Sequence, residues 1–400
     1  MNKLLPPPSP AAAALNAVAA SALIGALLGP VLYPLGASAG LWQELARTAS
    51  SSGDAPADFV MAGLGALVGG VAGAVVAAAQ LRLGRGRAFG AVAVDLLRFY
   101  LAFIVLGYGL VKVYAAQFPQ LWANLDTPPA DLSPMRVAWQ FFGYSRPYQQ
   151  FLGWAEVVAS LLLLPRRTAT LGALLMLVVM GNVFAINLFF DVSVKLMSGL
   201  YLAAALLILL QDTGRLWYFF IGNQPVPSRR VATDWFETRR GRRLYRGLTL
   251  GVLGLMLLAF MGDFQGIREQ AGSQQPTPIT GVWQPMRAER WRNGSWQRLP
   301  PTDSLYPRRL YFQAGQAVLR NEFYRDRFMC YVDSAASTAD MLPRNERNEF
   351  LPARTWQYRR PGRGDSLHIA GSWRGDSLRL ALVPARLGTL RSGSPRTGAQ

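Results

Sequence analysis

Eight residues carry the chemistry on offer within the apolar part of this sequence: Tyr108, Lys112, Glu156, Asn182, Asn187, Lys195, Ser198 and Tyr201. Each lies in or at the edge of a long apolar run, where an ionised side chain costs at least ~2.5–3.5 kcal/mol on insertion scales and so tends to be paired and functional. Glu156 stands nine residues after Pro147 and nine before Pro165. At ~1.5 Å per helical residue that is ~13 Å from either end, near the centre of a bilayer. Asn182, nine residues before Asp191, falls at a similar depth. Lys112 lies one to two turns below the outer end of its run, with Tyr108 one turn deeper on the same face. Lys195, Ser198 and Tyr201 share one helix face. These groups are expected to converge on one polar pocket in the outer half of a helix bundle, able to receive a quinone-like or lipid molecule.

Lysine usage adds an independent argument. Only Lys3, Lys112 and Lys195 are lysines among 41 basic residues. Ammonium is compact and loses its proton when desolvated, whereas guanidinium does not. Structural readings stand beside the functional one. Glu156 either holds two helices in register against Lys112 or stays protonated and donates to Asn182. Lys112 and Lys195 either serve the pocket or snorkel to the surface. Asn182, Asn187 and Tyr108 are equally suited to interhelical hydrogen bonds, and Asp191 to a surface pair with Lys195, its i+4 neighbour.

One Cys (Cys330) and one His (His368) exclude a thiol oxidoreductase pair, bis-His haem and the usual zinc sites. No catalytic or redox centre can be assembled from this chain alone, and no metal or tightly held cofactor is expected. His368 reads as a surface residue of an alternating strand, and Cys330 as a small buried side chain.

The elements that must position these groups follow from composition. Of 400 residues, 51% are hydrophobic and 16% charged, and mean hydropathy is +0.17, which describes a polytopic membrane protein. Its net charge of +18 reflects Arg in cytoplasmic loops rather than nucleic-acid binding. Seven runs approach the ~20 residues of a span: Ala11–Gly36, Phe59–Leu81, Leu96–Phe118, Tyr148–Leu164, Thr168–Phe189, Val194–Leu210 and Leu244–Met261. The first two, in segment 1–90, are rich in Ala and Gly and read as a packing pair. The first also has a small-x-small site, Ala37-Ser38-Ala39, but is longer than a usual signal core, so a retained helix is preferred to cleavage. Arginines at 82, 85, 87 and 98, at 166–167, and in the loop 223–243 mark every second turn. The N-terminus is therefore expected inside and the C-terminus outside a bacterial inner membrane. Trp217–Phe220 suit the interfacial aromatic belt.

A seventh span at 244–262 and a linker at 263–278 precede a polar, strand-forming region, 279–384, and an Arg/Gly/Ser/Pro-rich tail, 385–400, expected to be disordered. Alternating runs such as RRLYFQ and DSLRLALV predict an antiparallel β domain of about seven strands. Gly281-Val282-Trp283 resembles the opening of a lipocalin-like barrel, which needs eight strands. The expectation is thus a half-open sheet around Trp283, Tyr311, Phe312 and Trp356, its edge guarded by arginines or by contact with the membrane face. From Asp263 onward 21 Arg face 12 acids, an excess of +9 that favours anionic headgroups or an acidic partner.

Segments GYGLVKVYAAQFP, FLGWAEVVASLLLLPRRTATLGALL and NLFFDVSVKLMSGLYLAAALLILLQD, over residues 95–222, resemble the DoxX-like family of four-helix membrane proteins. The resemblance implies an inner-membrane helical bundle, in some members associated with quinone-linked redox complexes. In some relatives a His follows the serine of the last segment, where this chain has Gly199. Two functions follow: a non-catalytic subunit or lipophile-binding bundle whose β domain contacts a partner or headgroups, or the membrane component of an oxidoreductase whose redox centre lies in another subunit.

Overall fold

Every one of the seven apolar runs is helical. The computed structural model describes residues 9–38, 54–83, 86–226, 238–272, 276–321, 325–343, 351–360 and 365–387. It divides into two compact units, Met1–Tyr114 with Pro147–Ile267, and Ala115–Arg146 with Arg268–Gln400. Most of the Arg-rich loop and the tail beyond Leu387 lie outside the described residues, as does Ala39 of the small-x-small site.

The helical unit is built from α1 (Pro10–Ser38), α2 (Pro56–Arg82) and α3 (Gly86–Val113). Beyond the segment assigned to the second unit, α6 (Arg146–Leu163), α7 (Ala169–Phe189) and α8 (Lys195–Leu210) follow, then the short α9 (Thr213–Leu216) and α10 (Arg239–Gly272). Among the described residues four stretches, Pro10–Leu32, Pro56–Arg82, Phe89–Val113 and Ala169–Phe189, are long and apolar enough to cross a membrane, and α8 with Thr213–Ile221, bent by 71°, makes a fifth if taken together. α6 is less apolar because Arg146, Gln149, Gln150 and Glu156 dilute it.

Small residues decide the packing of the first pair. A Cβ at Gly25, Gly29, Gly65 or Gly69 would collide with backbone oxygens of the facing helix, so α1 and α2 meet backbone to backbone. The core of the unit lies where α1, α3, α7 and α8 meet, around Leu27, Leu97, Leu101, Met176 and Ala204. Its outer faces carry large exposed apolar side chains, among them Leu67, Val75, Val178 and Leu250.

Arg98 corrects the reading of the first Arg-rich turn, the one after the second apolar run. It lies inside α3 at 3% exposure, donates to the carbonyls of Leu163 and Leu164 at the end of α6, and pairs with Asp95 at 3.1 Å. A guanidinium placed on unpaired C-terminal carbonyls complements the helix dipole. Asp95 also receives Arg166 and the Tyr245 hydroxyl, tying α3, α10 and the α6–α7 turn together.

The second unit is a closed antiparallel barrel, not the half-open sheet expected from sequence. Its strands are β1 (Gly281–Arg292), β2 (Ser295–Arg298), β3 (Arg309–Gln313), β4 (Gln316–Arg320), β5 (Arg325–Asp333), β6 (Thr338–Pro343), β7 (Arg354–Arg359), β8 (Leu367–Trp373) and β9 (Asp376–Pro384). β1 pairs with β3 through Gly281–Trp283 and with β9 from Trp283 to Arg290, bulging between Pro285 and Arg287, so β1 and β3–β9 close the barrel while β2 folds back on the end of β1. The seven-strand count missed β2, a four-residue hairpin arm, and β6, whose TADMLP carries Asp and Pro. Closure removes the open edge that arginines were expected to guard.

Inward positions alternate with period two and fill the interior with Trp283, Phe312, Phe328, Trp356, Trp373 and leucines. Tyr311, expected among them, points outward and packs with Val318 against Ala123. Residues 117–146, between two of the apolar runs, contain α4 (Trp122–Leu125), a 3₁₀ turn at Pro129–Asp131 and α5 (Pro134–Tyr144). They belong to the barrel unit. Gln313 accepts from the Trp122 amide at 2.7 Å and donates to the Gln120 carbonyl at 2.8 Å, so its amide pairs with the chain like a strand neighbour. Asp126 receives Arg309 and, at 2.5 Å, the Tyr311 hydroxyl.

Candidate functional site

The site is set by the crossing of α3 and α6. A Cβ at Gly153 would approach the Gly109 carbonyl oxygen to 2.6 Å and the Lys112 Cβ to 2.8 Å, and one at Gly109 would lie 2.9 Å from the Gly153 oxygen. Each glycine stands three residues before a charged residue, on the same helix face. The backbones can touch there, and the next turn of each helix brings Lys112 against Glu156. The Lys112 Nζ lies 2.7 Å from both Glu156 oxygens, with exposures of 7% and 2%.

Two of the other expected residues join this pair. The Tyr108 and Tyr201 rings lie 6.4 Å apart, and Tyr100 of α3 lies near the same Tyr201 side chain. Tyr201 is buried, whereas Tyr108 is 44% exposed and presents one edge at the surface of the helical unit. Tyr100 was not singled out in the sequence, although it lies two turns from Tyr108 on α3, close to its face.

Four expected residues do not join it. Asn187 donates to Ser198 Oγ at 3.0 Å, and Ser198 bonds back to the Val194 carbonyl at 2.9 Å, a clasp between α7 and α8. Lys195 pairs with Asp191 at 2.7 Å and with Asp54 at 3.5 Å. Asp54 also accepts the Lys195 and Leu196 amides, both at 2.9 Å, and so caps α8. Asn182 is exposed, which corrects its expected inward direction. The depth estimate fixed its height along α7 but not its azimuth, and the inward face of that helix holds Ala173, Met176 and Met180 instead. The single pocket expected from eight residues is therefore a four-residue cluster, Tyr108, Lys112, Glu156 and Tyr201, beside two separate polar clasps.

His368 lies on the outer face of β8. Cys330 is buried and unbridged in β5, and burial pushes its thiol up to about 12, so it carries no thiolate near neutral pH. No group of three or more His, Cys, Asp or Glu able to hold a metal occurs among the described residues.

No protein-family profile matches this chain. No solved structure matches it either. A curated relative, the "Uncharacterized protein YwoB" of Bacillus subtilis, is 35% identical over 134 residues, which make up 34% of this chain and 85% of that protein. Most of that relative thus corresponds to one third of this chain, which belongs to the same family as YwoB.

Proposed function

We propose that the chain is a multi-pass protein of a bacterial inner membrane, a non-catalytic bundle of DoxX-like type that receives the polar head of a quinone-like or lipid molecule at the α3–α6 crossing. The observation that carries this reading is the Lys112–Glu156 pair, buried at the crossing with the partly exposed Tyr108 beside it. Two desolvated charges are rarely a source of net stability, since their mutual attraction only offsets the loss of water. In an apolar bundle such a pair with an aromatic hydroxyl at its surface edge marks a place where a polar group is held. The large exposed apolar faces of the helical unit suit lipid contact, and helices at all seven apolar runs favour seven spans.

Extraction of the full chain in mild uncharged detergent, with organic extraction and mass spectrometry of what it retains, tests the ligand. A quinone or single lipid class near one per chain is expected, reduced at least fivefold in Tyr108→Ala. An empty protein, or an unchanged yield in that variant, overturns the binding site. Copurification of a flavin- or haem-bearing subunit would instead favour the reading in which the bundle anchors a redox complex.

The expected orientation has the N-terminus inside and the barrel outside. Because Cys330 is buried and uncharged, it gives a silent background for thiol labelling. Cysteine placed at Ser304 should react with an impermeant maleimide on intact cells, and one at Ser228 only after lysis. The reverse pattern inverts the topology.

A further inference from the structure

The barrel unit contains a cleft that the bundle reading does not use. Its volume is about 770 Å3, and Arg136 of α5, Arg325 and Arg327 of β5, Arg354 of β7 and Arg374 line it together with Asp326. Asp326 is the acid of this set, and Arg374 takes it at 2.8 and 2.9 Å. That leaves four guanidiniums facing one cleft with no second acid in its lining among the described residues. Arg325 and Arg327 share a neutral acceptor, the Asn124 amide oxygen, at 3.1 and 2.7 Å. The Arg325 Nε is buried with no partner among the described residues. Arg136 likewise makes no side-chain ion pair or hydrogen bond among them.

Gathering these cations on one wall is costly. Burial, with Arg136 and Arg325 alongside, pushes Arg327 down to about 9. Arg325 is lowered too, by burial first and then by Arg136 and Arg320, and Arg136 by burial. The cleft also has an apolar side: Met135 and Trp139 follow the α5 face of Arg136, with Phe328 and Met329 on β5, while Gln117, Asn124 and Gln316 add neutral polar groups.

We propose that this cleft binds a phosphoryl group attached to an apolar body, the arginines holding the phosphoryl oxygens and the Met135–Trp139 side receiving the apolar part. A multiply charged oxyanion is favoured over a carboxylate because the cationic excess is several charges, and planar guanidinium forks match phosphoryl oxygens two at a time. The chemistry is shared by a phospholipid headgroup and a soluble phosphate ester, which the test separates. The site lies wholly in the barrel unit and does not rest on the α3–α6 reading.

The test uses the full chain in uncharged detergent, titrated with inorganic pyrophosphate, dihexanoyl phosphatidic acid and dihexanoyl phosphatidylcholine, read by Tm and by the fluorescence of Trp139 and Trp373. Saturable stabilisation by pyrophosphate and phosphatidic acid, with no response to phosphatidylcholine, is expected. A half-point at least tenfold lower for phosphatidic acid assigns the lipid, and equal half-points assign the phosphoryl group alone. Arg327→Gln keeps a donor for Asn124 but removes the charge. It should weaken binding at least tenfold while the ligand-free Tm holds or rises, since a crowded cation is gone; a purely structural arginine would lower it. Arg136→Gln, on an arginine with no side-chain ion pair or hydrogen bond to lose among the described residues, gives the same readout should Arg327→Gln fail to fold. A flat response to both phosphoryl probes, an equal response to sulfate at matched ionic strength, or unaltered binding in both variants overturns the proposal.

Discussion

Glu156→Gln is expected to destabilise the helical unit by about 3–5 kcal/mol, and the same change in a Lys112→Met background by distinctly less. With the carboxylate gone, the Lys112 ammonium sits at 7% exposure with its ion-pair partner removed. It must either stay charged where water cannot reach it or give up its proton. Lys112→Met alone strands Glu156 in the same way, although protonation offers the carboxylate a cheaper escape, so that single variant should lose less. Replacing both removes two desolvation penalties together. Reversible unfolding in mixed micelles, followed by loss of helix signal, measures the four corners of this cycle. A coupling near zero would sink the pairing, whereas one of only about 1 kcal/mol would mark a neutral hydrogen bond holding register rather than an ion pair.

The pairing of Lys112 with Glu156 was legible in the sequence because both effects that produce it are local. Intramembrane charges need partners, and depth along a helix is a matter of counting residues. The contact that enforces it was also written there, as Gly109 three residues before Lys112 and Gly153 three before Glu156, but only as part of a family-like pattern. Read as packing, those two glycines place the crossing point. Azimuth was the part that counting could not give. Asn182 lies on a helix apolar on every side, so no polar face distinguishes inward from outward, and it turns outward. Arg98 illustrates the converse: a topological arginine and a helix-capping arginine look alike until the end of α6 is seen to lie over it.

In the barrel unit, the strands with strong period-two alternation were legible, and closure was not. Closure depends on β1, which runs for twelve residues through Pro285 and a bulge, features that read locally as a strand's end. The missing strand β6 hides its inward Ala339 and Met341 on either side of Asp340, in a short run that ends at Pro343. Tyr311 was misplaced because β3 and β4 each bury three consecutive residues. That pattern arises only when a second layer covers the outer face, and the layer comes from residues 115–146, far away in sequence. The arginine cleft escaped notice for the same reason, since Arg136 and Arg327 are brought together by that long-range docking.

Closure also sets the second large effect, at the contact between Trp356 and Gly371. Trp356 is 2% exposed in the barrel interior, and a Cβ on Gly371 would lie 2.6 Å from its Cδ1, with other indole atoms closer still. Trp356→Ala should cost about 3–5 kcal/mol, because the rigid ring of strands cannot collapse on the space left. Gly371→Ala should cost at least about 1–3 kcal/mol by overpacking, since β7 and β9 both hold β8 in register and the indole has nowhere to turn. The two penalties arise from one volume and oppose each other. Trp356→Ala with Gly371→Ala should therefore be more stable than the sum of the two single changes by about 1 kcal/mol or more, within the usual range for residues in contact. Denaturant unfolding of the full chain, followed by near-ultraviolet circular dichroism of the barrel tryptophans, reads all three variants. Strict additivity would show that the ring and the glycine do not meet, and with it that the barrel is not closed as tightly as β1 and β9 imply.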